Sequence, residues 1–274
     1  MRGLIFDVKE FALNDGEGIR TTVFFKGCPL RCIWCHNPEG LSAVPELYEK
    51  KVGCLSCGLC RKTCDHPDCQ EFGRCLHICP MNLLHVAGQW WEAEALANRL
   101  LRRSDLYEAT GGGVTLSGGE PLMQAEFAVE LLSLLEGKLH RTIETCGYAK
   151  AKIFERVIHH CDFVYMDLKL AEEKAHRCFT GVGNRQILEN ARLLKESGIP
   201  HRFRIPLIPN ITDTEGNLRA LSAIIETDEV ELLPYNRLAP AKYASVGRKF
   251  SSEIDGNQPV DAPLYLFQNA MLRK

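Results

Sequence analysis

At 274 residues, 45% hydrophobic and 25% charged, the chain has the make-up of a folded globular protein with room for a sizeable core. A formal net charge of −2 gives no basic field for nucleic acid or a membrane surface, and no apolar run reaches membrane-spanning length. The segment Met1 to Glu10 carries acids early and lacks the long apolar region of a signal peptide, which places the expected home in the cytoplasm.

Residues 2–13 read as a strand and Asp15-Gly16-Glu17-Gly18 as a turn. Ile19 to Lys26 contains Thr21-Thr22-Val23-Phe24-Phe25, whose β-branched and aromatic residues predict a buried strand. That strand leads straight into Cys28, Cys32 and Cys35, spaced C-x3-C-x2-C between Gly27 and Pro38. Such spacing lets a tight loop turn three thiolates toward one point, and thiolates favour Fe–S clusters, zinc or Cu(I). A closed zinc site or an ordinary [4Fe–4S] cluster takes four protein ligands. Three close cysteines therefore imply either a cluster with one open iron or a partial zinc site completed from elsewhere. Cytoplasmic thiols stay reduced, so 13 cysteines, ten of them between Cys28 and Cys79, argue for metal over disulfides.

Between Gly53 and Val86 the composition shifts. Cys54, Cys57, Cys60 and Cys64 follow the C-x2-C-x2-C-x3-C spacing of bacterial ferredoxins, in which the fourth cysteine serves the other cluster. Cys69, Cys75 and Cys79-Pro80 follow, and the Cys-Pro ending is again ferredoxin-like. The spacing assigns Cys54, Cys57, Cys60 and Cys79 to a first auxiliary cluster, leaving Cys64, Cys69 and Cys75 as an incomplete second set. Two all-cysteine [4Fe–4S] clusters need eight ligands and the segment holds seven. Either one cluster is present with spare thiols, or Asp65, His66, Asp68 or His77 completes a second. Zinc is the alternative metal for such a segment.

Beyond the insert, strand-like and helix-like stretches alternate. Trp91 to Arg103 predicts an amphipathic helix, Gly113 to Ser117 a strand and Ala125 to Leu135 a helix. Strands at 141–145, 163–169, 201–207 and 230–234 alternate with helices at 150–159, 184–197 and 215–226. This order implies a parallel sheet, and about six such units fit a partial (β/α)6 TIM-like barrel. The expected domains are a barrel from 1–52 and 87–250, a ferredoxin-like insert at 53–86, and a tail at 251–274 that the pattern does not place.

The Cys28 loop, with Trp34 just before its last cysteine, resembles the signature of the radical S-adenosylmethionine (SAM) enzymes. Asp15-Gly16-Glu17-Gly18-Ile19-Arg20, Gly27-Cys28 and Cys35-His36-Asn37-Pro38 are similar to the activating enzymes of glycyl radical enzymes, from about residue 3 to about residue 247. The resemblance implies a [4Fe–4S] cluster on Cys28, Cys32 and Cys35 with SAM chelating its open iron, and anaerobic redox chemistry at that centre without side-chain acid–base catalysis. It implies that Trp34 packs on the cluster and that the backbone of Trp34, Cys35 and His36 meets the adenine. Gly118, Gly119 and Glu120 match the element that contacts the SAM amino group. Asp167, Leu168 and Lys169 match a second SAM-binding element, and Glu144, Thr145 and Asp167 match ligands of a monovalent cation, although Glu144 stands where the family often has Asp. Arg204 is positioned for the SAM carboxylate or the partner. Asn236 replaces the His of the family's Leu-Pro-Tyr-His element and cannot titrate near neutral pH.

The first functional reading is an activating enzyme that abstracts hydrogen from a glycine of a glycyl radical enzyme, with a flavodoxin or ferredoxin as reductant. The second is a radical SAM enzyme acting on a small molecule or peptide. The third is an Fe–S or zinc electron carrier or binding protein.

Overall fold

The computed structural model describes every residue except 256, 257, 259, 261 and 274, so part of the expected 251–274 tail lies outside the described residues. Nine strands form one sheet. In chain order they are β1 (Arg2–Ala12), β2 (Arg20–Phe25), β5 (Gln89–Glu92), β6 (Gly113–Gly118), β7 (His140–Thr145), β8 (Phe163–Asp167), β9 (His201–Leu207), β10 (Glu229–Pro234) and β11 (Asn269–Leu272). The intervening β3 (Glu46–Glu49) and β4 (Leu84–Ala87) form a separate two-stranded ribbon.

Across the sheet the order is β11-β10-β9-β8-β7-β6-β2-β1-β5. All neighbours from β2 to β11 are parallel, while β1 pairs antiparallel with both β2 and β5. The six strands β2, β6, β7, β8, β9 and β10 make the partial (β/α)6 barrel that the alternation predicts. Parallel strands buried on both faces read as near-continuous apolar runs, which is why Thr21–Phe25 is almost wholly buried.

Helices α4 (Ala125–Leu135), α5 (Ala151–Ile158), α7 (Arg185–Ser197) and α8 (Glu215–Ile225) connect the strands. Each buries one face: Phe127 and Leu131, Phe154 and Val157, Ile187 and Leu194, Leu218 and Leu221 all join the main core. Gly198, at φ 71°, ends α7 as expected. Arg20 sits 1% exposed in this core and clamps three strands. Its guanidinium donates to Thr115 Oγ1 at 2.7 Å and Val114 O at 2.8 Å on β6, and to Thr142 Oγ1 at 2.8 Å on β7.

The structure departs from the predicted elements in several places. The helix expected over Trp91–Arg103 begins at Ala93 and ends at Leu101 (α2), because Gln89–Glu92 pairs with β1 and takes Trp91 into the sheet. Short α3 (Ser104–Thr110) follows it. Helix α6 (Glu173–Thr180) and the five-residue α9 (Ala239–Tyr243) were not predicted. Within the tail, β11 adds a parallel strand beside β10, with Val230 opposite Ala270.

The ribbon carries the cysteine-rich segment at its tip, with Glu46 opposite Ala87 and Glu49 opposite Leu84. Residues 50–83 therefore lie between its strands, slightly offset from the expected 53–86. The described residues there hold only two short helical turns, Leu59–Arg61 and α1 (Pro67–Gln70).

Candidate active site

The Cys28 loop starts where β2 ends and is fastened from several directions. Gly27 N–H donates to Gly40 O at 2.8 Å, Arg31 N–H to Thr180 O at 2.7 Å and Ile33 N–H to Phe179 O at 3.1 Å, so the end of α6 supports the loop. The next strand end is sewn to it as well: Gly119 N–H donates to Phe25 O and Glu120 N–H to Gly27 O, both at 2.8 Å. A Cβ on Gly119 would lie 2.3 Å from Gly27 O and 2.5 Å from Gly40 O. The glycine is therefore demanded by strand-end packing against the cysteine loop, a stronger reason than the ligand approach expected from sequence.

Cys28, Cys32 and Cys35 line a cavity of about 260 Å³ together with Trp34 and His36. Gly118 and Gly119 border it at the end of β6, Glu144 and Thr145 at the end of β7, Asp167 and Lys169 at and just beyond the end of β8, and Arg204 from within β9. Trp34 is 4% exposed and packs backwards against Leu170, Ile208 and Ile211, so it serves the core and the cavity wall together. A wider cavity of about 750 Å³ shares Asp15, His36, Ser117 and Glu144 with the first and continues it outward. Asn236 borders only this outer space, and its Oδ1 accepts from Leu238 N at 2.9 Å.

Two expected contacts face elsewhere. Glu120 is fully buried, its carboxylate accepting from Thr145 Oγ1 at 2.7 Å, Cys146 N at 2.7 Å and Leu122 N at 3.1 Å. It holds the end of β7 in place and does not reach the cavity. Leu168 belongs to the main core because alternation turns it away from Asp167 and Lys169. Residues missed by the sequence reading also border both cavities, among them Asp15 and Arg273. Asp15 lay in a stretch read as a turn and as part of the family resemblance without a site role, and Arg273 follows β11, whose short run gave no periodic signal.

The electrostatics are tightly paired. Arg204, 4% exposed, donates from Nε to Glu231 Oε2 at 2.7 Å and from Nη1 to Glu144 Oε1, and lies 3.5 Å over the Tyr165 ring. Burial raises the Glu144 carboxyl above its usual range, with Arg204 opposing. Lys169 Nζ donates to Asp167 Oδ2 at 2.9 Å. Burial disfavours the Lys169 charge, but Asp167 and the neighbouring Cys32 and Cys146 sulfurs outweigh it and hold its pKa above the usual value. Each expected cation ligand is thus engaged: Glu144 by Arg204 and Ser117, Thr145 by Glu120, and Asp167 by Lys169.

Burial pushes all three loop thiols up, Cys32 to about 12, so a metal is needed to ionise them. The surroundings fit a thiolate-bound iron cluster and a polar ligand. His36, pushed down to about 4 chiefly by burial, has a buried Nε2 with no hydrogen-bond partner among the described residues, and it borders both cavities.

The profile of the Radical SAM superfamily matches residues 22–220. The chain belongs to that superfamily. Among curated relatives it is 36% identical to the isethionate sulfite-lyase activating enzyme of Oleidesulfovibrio alaskensis, covering 90% of this chain and 88% of that one. It is 35% identical to the trans-4-hydroxy-L-proline dehydratase activating enzyme of Clostridioides difficile, covering 92% and 91%. These relatives place it among the activating enzymes of glycyl radical enzymes. Streptococcus suis SuiB, solved with its precursor peptide SuiA, shares the fold at a TM-score of 0.50 and 14% identity over 82% of this chain and 40% of that one. Among the described residues no helix is long and apolar enough to cross a membrane.

Proposed function

We propose that this chain cleaves SAM reductively and removes hydrogen from a backbone glycine of a partner glycyl radical enzyme. The observation that carries the reading is one cavity bordered by the three-cysteine loop, the Gly118–Gly119 turn and the Asp167–Lys169 pair. Cys28, Cys32 and Cys35 would hold the [4Fe–4S] cluster and leave one iron to the methionyl amine and carboxylate of SAM. When bound, the reduced cluster and SAM supply a 5′-deoxyadenosyl radical.

The protein contributes position and dryness. Backbone carbonyls around Gly118 and Gly119 would accept from the SAM amine beside the cluster loop, and Asp167 and Lys169 present a carboxylate and an ammonium. Trp34, backed by Leu170 and Ile208, keeps water from the loop. The outer cavity of about 750 Å³ has room for a glycine-bearing partner loop beside Asn236. A monovalent cation at Glu144, Thr145 and Asp167 would have to displace Arg204 and Lys169, which already bring positive charge there.

In the insert, Cys54, Cys57, Cys60 and Cys79 would hold one auxiliary [4Fe–4S] cluster by ferredoxin spacing, receiving electrons from a flavodoxin or ferredoxin in the anaerobic cytoplasm. Arg74 supports this set by donating to Cys60 Sγ at 2.9 Å.

Anaerobic iron and sulfide analysis with EPR tests the reading on the wild type and on a Cys28/Cys32/Cys35→Ala variant. The variant should lack about four irons and the SAM-responsive signal. Unchanged iron and an unchanged response to SAM would overturn the proposal. Incubating the wild type with SAM and its partner glycyl radical enzyme should produce a glycine-centred radical signal on that partner.

A further inference from the structure

Ferredoxin spacing, counted back from Cys79-Pro80 as C-x2-C-x2-C-x3-C-P, asks for cysteines at 69, 72, 75 and 79. Position 72 is Phe72, and its ring packs into a small apolar cluster with Cys69, Cys75, Leu76 and Val86. The set formed by Cys64, Cys69 and Cys75 therefore lacks one ligand at a known place. The fold supplies a replacement from another position. His66, two residues after Cys64, brings its ring beside the three sulfurs, and the ligand atoms of Cys64, His66, Cys69 and Cys75 all lie within 4.8 Å of one another.

We propose that these four residues form a closed Cys3His site for one Zn²⁺ ion, distinct in kind from the iron clusters. The spacing decides between the metals. With Zn–S near 2.3 Å and Zn–N near 2.0–2.1 Å, a tetrahedral ion holds its ligand atoms about 3.6–3.8 Å apart. His66 Nδ1 lies 3.3 Å from Cys64 Sγ, already close to that edge length. A [4Fe–4S] core puts a different iron under each thiolate and so spreads its ligands wider than one shared ion does. Cys28, Cys32 and Cys35 do not form such a compact group among the described residues, nor do Cys54, Cys57, Cys60 and Cys79. Cys3His is also a standard set for structural zinc.

The surroundings suit a structural ion. Cys69 and Cys75 are 1% and 3% exposed, and Leu76 N–H donates to Cys69 Sγ at 3.2 Å, as a fixed thiolate requires. His66 packs edge-on against His77 at 4.9 Å, and His77 is held by Asp68 at 2.8 Å, which orients the ligand ring from behind. The segment's own apolar cluster is far too small to order residues 50–83, so an ion that binds only the folded form would stabilise it directly. The site is independent of the SAM reading.

The test uses the full-length protein isolated anaerobically, before any iron is added. Metal analysis should find about one zinc per chain, and zinc absorption spectroscopy should find three sulfurs and one nitrogen around it. The Cys28/Cys32/Cys35→Ala variant should keep this zinc although its SAM cluster is gone. His66→Ala should weaken zinc in chelator competition by about a hundredfold, at or beyond the roughly 10–100-fold of outer-shell changes, while His66→Cys should retain it and His77→Ala should weaken it less than His66→Ala does. Cobalt in place of zinc should give thiolate charge-transfer bands in the wild type that weaken in Cys69→Ser. An absence of zinc in the wild type, or a loss of about four irons from Cys69→Ser, would overturn the proposal and return the second set to a cluster. Zinc bound equally well by His66→Ala would overturn the ligand assignment.

Discussion

Removing Arg204 is the sharpest probe of how the site is held. In Arg204→Leu the Glu144 and Glu231 carboxylates both lose the guanidinium between them. Glu231 keeps Arg273 at 3.9 Å, so Glu144, half-buried at the cavity edge with only Ser117 Oγ at 2.6 Å for a partner, carries most of the cost. Breaking a buried pair costs about 3–5 kcal/mol. Protonation sets a ceiling, because holding a carboxyl of intrinsic pKa about 4.3 neutral costs about 4 kcal/mol at pH 7.5 and about 1 kcal/mol at pH 5. The sign follows. A carboxyl whose folded pKa is raised is unpenalised below its unfolded pKa and loses stability as pH rises toward the folded value. Burial already raises Glu144, and the variant raises it further. Guanidinium chloride unfolding of the reduced, metal-free protein should therefore show a loss of at most about 4 kcal/mol at pH 7.5, shrinking to at most about 1 kcal/mol at pH 5. Arg204→Leu/Glu144→Gln should recover most of it. Equal losses at both pH values, or no recovery in the double variant, would refute the reasoning.

Three further outcomes are expected. Gly119→Ala forces a Cβ against the Gly27 and Gly40 carbonyls, so SAM cleavage should fall about a hundredfold while some cluster iron is retained, as iron analysis and product assay would report. Arg20→Met leaves acceptors on β6 and β7 unmatched and should cost about 2–3 kcal/mol in denaturant unfolding. Arg20→Lys should fare little better, because one ammonium cannot span the acceptors that a planar fork reaches. Replacing potassium and sodium by a bulky organic cation should leave the SAM cleavage rate unchanged, because Lys169 and Arg204 occupy the acceptors of the expected cation.

The strands of the barrel were legible in the sequence because a parallel sheet buried on both faces favours β-branched and apolar residues, as in Thr21–Phe25 and, around Glu231, in Val230–Leu233. The cysteine loop was legible because metal chemistry restricts ligand type and spacing. Glu120 was placed with Gly118 and Gly119 by the family resemblance, and only the fold reveals that Thr145 and Cys146 engage its carboxylate. Trp91 read as helix from periodicity, but edge pairing with β1 overrode local preference. His66 could be named only as one candidate among four. Its nearness to Cys64, Cys69 and Cys75 depends on how the insert folds over Phe72, which spacing does not encode.

The ribbon of β3 and β4 has a consequence for how such chains diversify. Lys50 N–H donates to Leu83 O at 2.9 Å, so the two ends of the cysteine-rich segment leave the barrel as near neighbours. A two-residue hairpin turn could join them without moving the strands. Meanwhile Glu46 at the stem is gripped by Lys26 at 2.7 Å and by Arg248 at 2.5 Å. The barrel thus owns the socket and the segment is a cartridge: residues 50–83 can be shortened or exchanged between the ends of the ribbon without moving the strands of the sheet.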